Sequence, residues 1–383
     1  MTVAGAPSST TDPRTAPHHS RTAPSPHLSK EHLMSLRSAH KLGTGLVAGV
    51  AVLSLAACTG NTAADDGGTQ AGGTSEAEQG SNDEAGDTVV IGFSAPAADH
   101  GWMASITESA REAADAYEDV DLRVAEGTND VNLQISQVET FINDGVDAIV
   151  LLPFDGAAMT PVALQAMEAG IPVINVDREF EDPNAARVTV LGDNYGMGVS
   201  AGSYICSELG DNPDAVVAEI AGIDSLPLTQ DRSQGFEDAL GECGLDVDNR
   251  VAADFTVEGG ERAASNLLQA APQIDAVWNH DDDQGVGVLA AFENAGRDEF
   301  MMVGGAGSAN AMRSIQADDS VLKATVVYPS TQGADGIMMA RLLVQQKAMG
   351  DLVEVEVPRE VQLYAPVVTA DNVDQFIDTA FES

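Results

Sequence analysis

The side chains of this sequence that could do chemistry stand where short apolar runs end. They are Ser94, Asp99, His100, Trp102, Phe154, Asp177, Arg178, Arg232, Phe255, Asp281 and Tyr328. Arginine donates forked hydrogen bonds and aspartate accepts hydrogen bonds from hydroxyl groups, and the charge on each strengthens these bonds. The flat aromatic rings in the set would cover the apolar faces of a small ring. We therefore expect a site for a neutral ligand that carries several hydroxyl groups.

Each of these residues also has a purely structural interpretation. Phe154 and Phe255 could be ordinary core residues, and Asp177 with Arg178 could be a salt bridge that braces a loop. The acidic run 281–283 could be solvated. Because three consecutive residues cannot all face one ligand, we expect at least one of its carboxylates to face water. The sequence leaves these alternatives open.

A catalytic or metal site is not indicated. Beyond residue 58 the only histidines are His100 and His280, whereas a metal site usually takes three or four converging ligands. The sequence has no Gly-x-Ser-x-Gly elbow in front of a helix and no Gly-x-x-x-x-Gly-Lys-Ser/Thr phosphate loop. We therefore expect no catalytic residue, no metal and no cofactor. A metal-assisted hydrolase built on the two histidines is the disfavoured alternative.

Short strands rich in Val and Ile alternate with amphipathic helices along residues 88–364. Residues 89–93, 148–152 and 172–176 are such strands, and the alternation restarts near residue 188. Apolar strands of this kind are typical of a parallel sheet that helices cover on both faces. We predict an α/β fold of two doubly wound parallel-sheet lobes. In open parallel sheets ligands bind beyond the carboxyl ends of the strands, which is where the polar and aromatic side chains stand.

The N-terminal 57 residues read as an extension followed by an export signal. Arg37 and Lys41 lead into apolar residues 42–55, which fall short of the roughly 20 that span a membrane and fit a secretory signal. The Leu-Ala-Ala that precedes Cys58 resembles the lipobox of bacterial lipoproteins, in which the cysteine receives lipid and becomes the mature N-terminus. We expect lipid on Cys58 and a true start at Met34. A buried helix with an incidental cysteine is the alternative.

The residues after Cys58 are predicted to be a tether. Residues 58–87 consist almost wholly of small and polar residues and cannot bury enough surface to offset the entropy of ordering, so we expect a disordered linker.

The net charge limits the expected binding partners, and the cysteine content limits the possible disulfides. A formal net charge of −42 repels nucleic acid and anionic lipid headgroups, so neither is an expected partner. Two cysteines remain in an exported chain, Cys206 and Cys243. They could form a disulfide or remain free buried thiols.

The strand-end motifs together resemble one family. The motifs, in chain order, are Ser94, Asp177-Arg178, Gly192-Asp193-Asn194, Asp231-Arg232-x-x-Gly235-Phe236 and the region of Asp281. This series, over about residues 88–365, is similar to that of the ribose-binding-like periplasmic sugar-binding proteins. Those are the type I solute-binding components of ABC importers.

The resemblance implies two lobes joined by a hinge of three crossovers that close on one small carbohydrate. It assigns 88–192 and 328–357 to the first lobe, and 193–327 and 358–383 to the second. By matched position all of the residues named at the outset except Asp99 and Phe154 line the cleft, with Asn194 at the first crossover. It also implies a monomer on the outer face of the cytoplasmic membrane that delivers its ligand to an ABC permease and its ATPase. A sensor that presents its ligand to a membrane receptor kinase is the alternative.

Three departures leave the sugar open. Ribose binders carry an aspartate where this chain has the glycine-rich residues 304–307, and an Asn-Pro-Phe-Phe run where it has 99–102. Tyr328 stands where a glutamine is expected. A pentose, a hexose or a polyol therefore remains possible.

Overall fold

The computed structural model describes Asn82 and residues 84–210, 212–347, 349 and 357–383. The expected export signal, Cys58 and most of the expected 58–87 linker lie outside these residues. All described residues belong to one compact unit, Gly72–Ser383. No helix in the described part of the chain is long and apolar enough to cross a membrane.

Strands and helices alternate along the described chain. The first elements are β1 (Val89–Ser94), α1 (Gly101–Asp115), β2 (Val120–Val124), α2 (Val131–Asp144), β3 (Ala148–Leu151), α3 (Gly156–Glu168), β4 (Val173–Val176) and β5 (Val188–Gly192). The later elements are α4 (Asn194–Leu209), β6 (Val217–Ala221), α5 (Pro227–Glu242), β7 (Val247–Ala252), α6 (Val257–Ala270), β8 (Ala276–Asn279), α7 (Asp282–Ala295), β9 (Met301–Ala306), α8 (Ala309–Ala317), β10 (Leu322–Val327), α9 (Gln332–Val344), β11 (Glu360–Leu363) and β12 (Val367–Thr369).

The strands form two six-stranded sheets, one for each lobe. In the first lobe the order is β11-β5-β4-β3-β1-β2, and all neighbours are parallel. In the second lobe the order is β12-β10-β9-β8-β6-β7, parallel except for β12, which runs antiparallel to β10. The prediction of two doubly wound parallel-sheet lobes is confirmed.

Position in the sheet explains the sequence of each strand. The central strands β3 and β4 are buried along their whole length, because helices cover both faces. The edge strands β2 and β7 instead alternate between more and less exposed residues. Burial of the central strands fixes their carboxyl ends, where the predicted site residues begin.

The chain passes between the lobes three times, and the third passage differs from the prediction. The first two passages follow β5 and β10. The third lies between Leu363 and Val367 instead of at 357–358. Its position follows from strand pairing, because β11 completes the open edge of β5, with Glu360 opposite Thr189 and Leu363 opposite Gly192. Residues 358–363 therefore belong to the first lobe, not the second.

A buried ion pair holds α9 in the first lobe after the second passage. The Arg341 guanidinium donates two hydrogen bonds of 2.8 Å to the Asp119 carboxylate, which precedes β2. Both side chains are shielded from solvent, and the bonds from Arg341 hold the pKa of Asp119 well below its usual range. A fork of this kind fixes orientation as well as distance.

A disulfide ties two helices of the second lobe. Cys206, in α4, is bonded to Cys243, which follows α5, with their Cα atoms 5.9 Å apart. The sequence left open a disulfide or two free thiols, and the structure has the disulfide. The bonded cysteines are 37 residues apart, and a disulfide that closes such a loop stabilises the lobe by about 2–4 kcal/mol, mainly by restricting the unfolded chain.

Candidate functional site

Residues that follow strands of both sheets line one cavity of about 30 Å³. They are His100, Trp102, Met103, Asp177, Arg178, Leu228, Arg232, Phe255, Asp281, Ala306 and Tyr328. Eight of these were predicted from the sequence; Met103, Leu228 and Ala306 were not. The cavity has room for about two water molecules at roughly 10–15 Å³ each. A larger ligand therefore needs the lobes to part or side chains to move.

The first lobe contributes a charged pair at the end of β4. Asp177 accepts a hydrogen bond of 2.6 Å from the Tyr328 hydroxyl, and burial is the main cause that raises the pKa of Tyr328. Arg178 donates to the Phe154 carbonyl at 3.0 Å. Its buried Nε makes no hydrogen bond to a described residue, but it forms an ion pair with Asp177 Oδ2 at 3.9 Å, so the salt bridge that the sequence left open is present. Burial lowers the pKa of the guanidinium. The buried Nε of Arg178 is thus a donor still available to a ligand.

The second lobe contributes Arg232 from α5. Its guanidinium lies over the Tyr328 ring, 4.4 Å from the centroid. Its Nε donates to the Asn194 side-chain oxygen at 2.9 Å, and one terminal nitrogen donates to the His280 carbonyl at 3.3 Å. Stacking over an aromatic ring and hydrogen bonds to neutral oxygens orient a guanidinium group without neutralising its charge.

Backbone strain concentrates at the cavity. Asp177, Phe255 and Ala306 have φ values of 62°, 65° and 84°, in the left-handed region that side chains with a Cβ seldom adopt. Two further non-glycine residues of the described chain have positive φ, Asp318 and Gln346, and neither lines the cavity. Strain of this kind persists only where the surroundings enforce it, and it clusters at binding sites.

Four predicted residues lie outside the cavity lining. Asp99 is exposed and contacts His100 Nδ1 at 2.6 Å, so it orients the imidazole that lines the cavity. Asn194 likewise orients Arg232. Phe154 acts through its backbone, whose carbonyl receives Arg178. The Ser94 hydroxyl lies outside the cavity, where it donates a hydrogen bond to the Gln137 side chain and accepts one from the side chain of a second glutamine.

Three residues that line the cavity were not predicted from the sequence, and they differ in whether a sequence pattern could have revealed them. Met103 directly follows Trp102, and Leu228 is one turn before Arg232 on α5, so helical spacing could have found both. Ala306 lay in what was interpreted as a glycine-rich loop, and it ends β9 instead.

The acidic run 281–283 is wholly buried, which corrects the expectation of a solvated carboxylate. Asp281 lines the cavity and caps α7. Asp282 accepts from the Gly305 and Ser308 amides at 3.0 and 2.8 Å. Asp283 accepts from the Trp102 amide at 3.0 Å. The three carboxylates do not face one ligand, yet each faces a buried donor.

Burial raises the pKa of all three carboxyls. For Asp282 it does so against three hydrogen bonds, including one from Thr325, and the pKa reaches about 7. Below the run, His280 Nε2 lies 2.9 Å from Glu219 Oε1, with both side chains fully buried. Among the described residues, no three His, Cys, Asp or Glu side chains are grouped so that they could hold a metal ion.

The cavity therefore combines two guanidinium groups, two carboxylates and aromatic faces, drawn from both lobes. Hydrogen-bond donors and acceptors of opposite charge at one small cavity can together bind a polar, uncharged molecule.

Known proteins are similar to this chain in sequence and in fold. A family model described as a periplasmic binding protein domain matches residues 91–348. The ribose import binding protein of Bacillus subtilis is 33% identical over 222 residues, which cover 56% of this chain and 70% of that protein.

Two solved structures are similar as well. An ABC transporter solute binding protein from Bacillus halodurans with bound myo-inositol is 25% identical, with a TM-score of 0.67 and coverage of 76% of this chain and 98% of that one. The fructose binding periplasmic domain of a hybrid two component system is 27% identical, with a TM-score of 0.67 and coverage of 76% and 93%.

The buried Asp282 predicts a pH dependence of stability. Its pKa is about 7 in the folded chain, against 3.8 for an unperturbed aspartate, so between these two pH values the folded state holds a proton that the unfolded state has lost. Through this group the free energy of unfolding falls as pH rises from about 4 to 7, by at most about 1.4 kcal/mol per pH unit. Asp282→Asn should make this fall in the free energy of unfolding shallower in urea denaturation, whatever its stability at one pH, while Asp281 and Asp283 retain their raised pKa values.

The matched control is Asp130→Asn, at the exposed cap of α2, which should retain the slope of the unmodified chain. Parallel pH profiles for the unmodified chain and Asp282→Asn would contradict the assignment.

Proposed function

This chain belongs to the ribose-binding-like branch of the periplasmic binding protein family, and we propose that it captures a small carbohydrate between its two lobes. The observation that carries the proposal is the cavity itself. Asp177 and Arg178 from one lobe and Arg232 from the other meet there beside Tyr328. Hydroxyl groups on a sugar or polyol would donate to the carboxylates and accept from the guanidinium groups, while the rings cover its carbon faces.

The proposed mechanism is binding by closure, without catalysis. Because the cavity of about 30 Å³ is smaller than a sugar, the lobes open to admit the ligand and close around it. Contacts made with both lobes favour the closed form, since they are complete only there. The Nε of Arg178, which makes no hydrogen bond to a described residue, would gain a hydrogen-bond partner in that step.

The class of ligand is a pentose, a hexose or a polyol. The ribose binders' aspartate is missing from 304–307, but Asp281 brings a carboxylate to the cavity from the neighbouring strand end, after β8. An acceptor for a ligand hydroxyl is therefore present at the cavity. We propose a ligand whose hydroxyl pattern differs from that of ribose, in line with the myo-inositol bound in one similar structure and the fructose binding for which the other is named.

Delivery to an ABC permease and its ATPase is the proposed next step, because the similar proteins named for import share this fold. One observation favours a second candidate: the fructose binding domain of a two component system is equally similar. A permease and ATPase encoded beside this chain would support import. A histidine kinase there, without them, would support sensing.

Family membership implies a location outside the cytoplasm, and we propose a lipid on Cys58 as the anchor. The support is the apolar segment and the Leu-Ala-Ala before this cysteine. Labelling of growing cells with a palmitate analogue should mark the unmodified chain and leave Cys58→Ser unmarked. Equal labelling of both would contradict the anchor.

A thermal-shift screen tests the proposed function. Pentoses, hexoses, polyols and inositols are each added in excess, and a ligand of the folded state raises the melting temperature by mass action. At least one should do so, and the titration gives its affinity. A screen in which no carbohydrate shifts the melting temperature would refute the proposal.

The two cavity arginines should dominate that affinity. Arg178→Ala and Arg232→Ala are each expected to weaken binding of the carbohydrate identified in the screen by roughly tenfold or more, because a charged hydrogen bond is worth about 1.5–3 kcal/mol. Arg262→Ala is the control, since Arg262 is exposed and pairs with Asp254 on the surface. Unchanged affinity in both cavity variants, measured by calorimetry, would refute this role for the cavity.

A further inference from the structure

The helix α1 begins without a cap of its own. Its N-cap residue, His100, makes no side-chain hydrogen bond to the helix, and the first turn holds no acidic residue. Six other α-helices of the described chain are capped by their own N-cap side chain: Asp130, Asp155, Asp193, Thr256, Asp281 and Ser308. The amides at the start of α1 therefore need an acceptor from elsewhere.

The acceptor comes from the other lobe. Asp283, in the first turn of α7, accepts a hydrogen bond of 3.0 Å from the Trp102 amide in α1. Asp283 is 3% exposed and is absent from the cavity lining. Its carboxylate lies at the N-terminal ends of both helices, where a negative charge is favoured by the helix dipole.

Gly101 makes this approach possible. A Cβ atom at residue 101 would lie 2.7 Å from Asp283 Oδ1 and 2.5 Å from the Glu382 carbonyl oxygen, which also belongs to the second lobe. Any larger residue would therefore hold the two lobes apart at this point.

The capped residue also forms part of the cavity wall. The Trp102 ring packs against Tyr328 with centroids 5.5 Å apart, and its Nε1 donates to the Tyr328 carbonyl at 3.1 Å. Both residues line the cavity. The position of the α1 N-terminus therefore sets the position of an aromatic face that the ligand would meet.

We propose that Asp283 is a positioning residue for closure: its carboxylate caps α1 across the cleft and fixes Trp102 against the cavity. The expected consequence is tighter binding of a carbohydrate, and in this respect the inference rests on the proposed function. When the lobes part, the hydrogen bond between the Asp283 carboxylate and the Trp102 amide breaks, and water solvates both groups. The contact therefore favours the closed form, and it raises ligand affinity without touching the ligand.

The test combines affinity with hydrogen exchange at single amides. Asp283→Ala should weaken binding of the carbohydrate found in the screen by about tenfold. Asp283→Asn retains a side-chain oxygen and should recover part of the loss. The control Asp130→Ala removes a cap that lies wholly within the first lobe, and it should leave the affinity unchanged.

Hydrogen exchange of the Trp102 amide reports directly on its hydrogen bond to Asp283. Its acceptor is Asp283, whereas the Ala104 amide bonds to the His100 carbonyl within α1. In the ligand-bound chain, Asp283→Ala should speed exchange at Trp102 by about tenfold or more and leave Ala104 slow, which separates loss of the cap from unfolding of the helix. Affinity unchanged in Asp283→Ala, or a Trp102 amide that exchanges freely in the unmodified chain with and without ligand, would overturn the proposal.

The two failures are distinguishable. If no carbohydrate binds, the proposed function fails, and the effect of Asp283 on affinity, which rests on it, fails with it. If a carbohydrate binds and Asp283→Ala matches the unmodified chain, only the role of Asp283 fails.

Discussion

Burial of ionisable groups where the two lobes meet is the constraint on which this structure depends. Asp177, Arg232 and the acidic run 281–283 are each at most 5% exposed, and a buried charge is tolerated only when it is paired or hydrogen-bonded. Several of the required partners come from the other lobe or from the passages between lobes. The arrangement is therefore stable only when the lobes are close together or when water and ligand replace those partners.

The rest of each lobe holds these groups at fixed positions. Central strands buried on both faces set the carboxyl ends from which Asp177 and Asp281 project. The bond between Arg341 and Asp119 keeps α9 in the first lobe, and the disulfide joins α4 to α5, the helix that carries Arg232. Rigid lobes confine movement to the passages between them, which suits a protein that works by opening and closing.

The sequence was informative where one interaction decides the structure. An all-apolar run such as residues 148–151 has no stable place but the middle of a sheet, so the fold and the strand ends could be predicted. Charged and aromatic residues at those ends mostly line the cavity. Glycine was misleading: Gly304 and Gly305 suggested a loop, but they continue β9, where a Cβ at residue 305 would lie 2.4 Å from the His280 carbonyl oxygen. Helix α8, which follows, was missed with it.

Long-range partners explain the other differences. Nothing near 358 in the sequence reveals that β11 pairs with β5, about 170 residues earlier. The burial of Asp282 and Asp283 depends on amides of Ser308 and Trp102 that are distant in the chain. The roles of Asp99 and Asn194, which orient His100 and Arg232, likewise depend on side-chain geometry that residue type alone does not give.

The central claim is that two lobes close on a carbohydrate, and small-angle X-ray scattering tests it most directly. The chain is measured alone and then with a saturating concentration of the carbohydrate that raises its melting temperature most. The account predicts a smaller radius of gyration with the ligand, because the open lobes come together. An unchanged radius of gyration at saturation would contradict it.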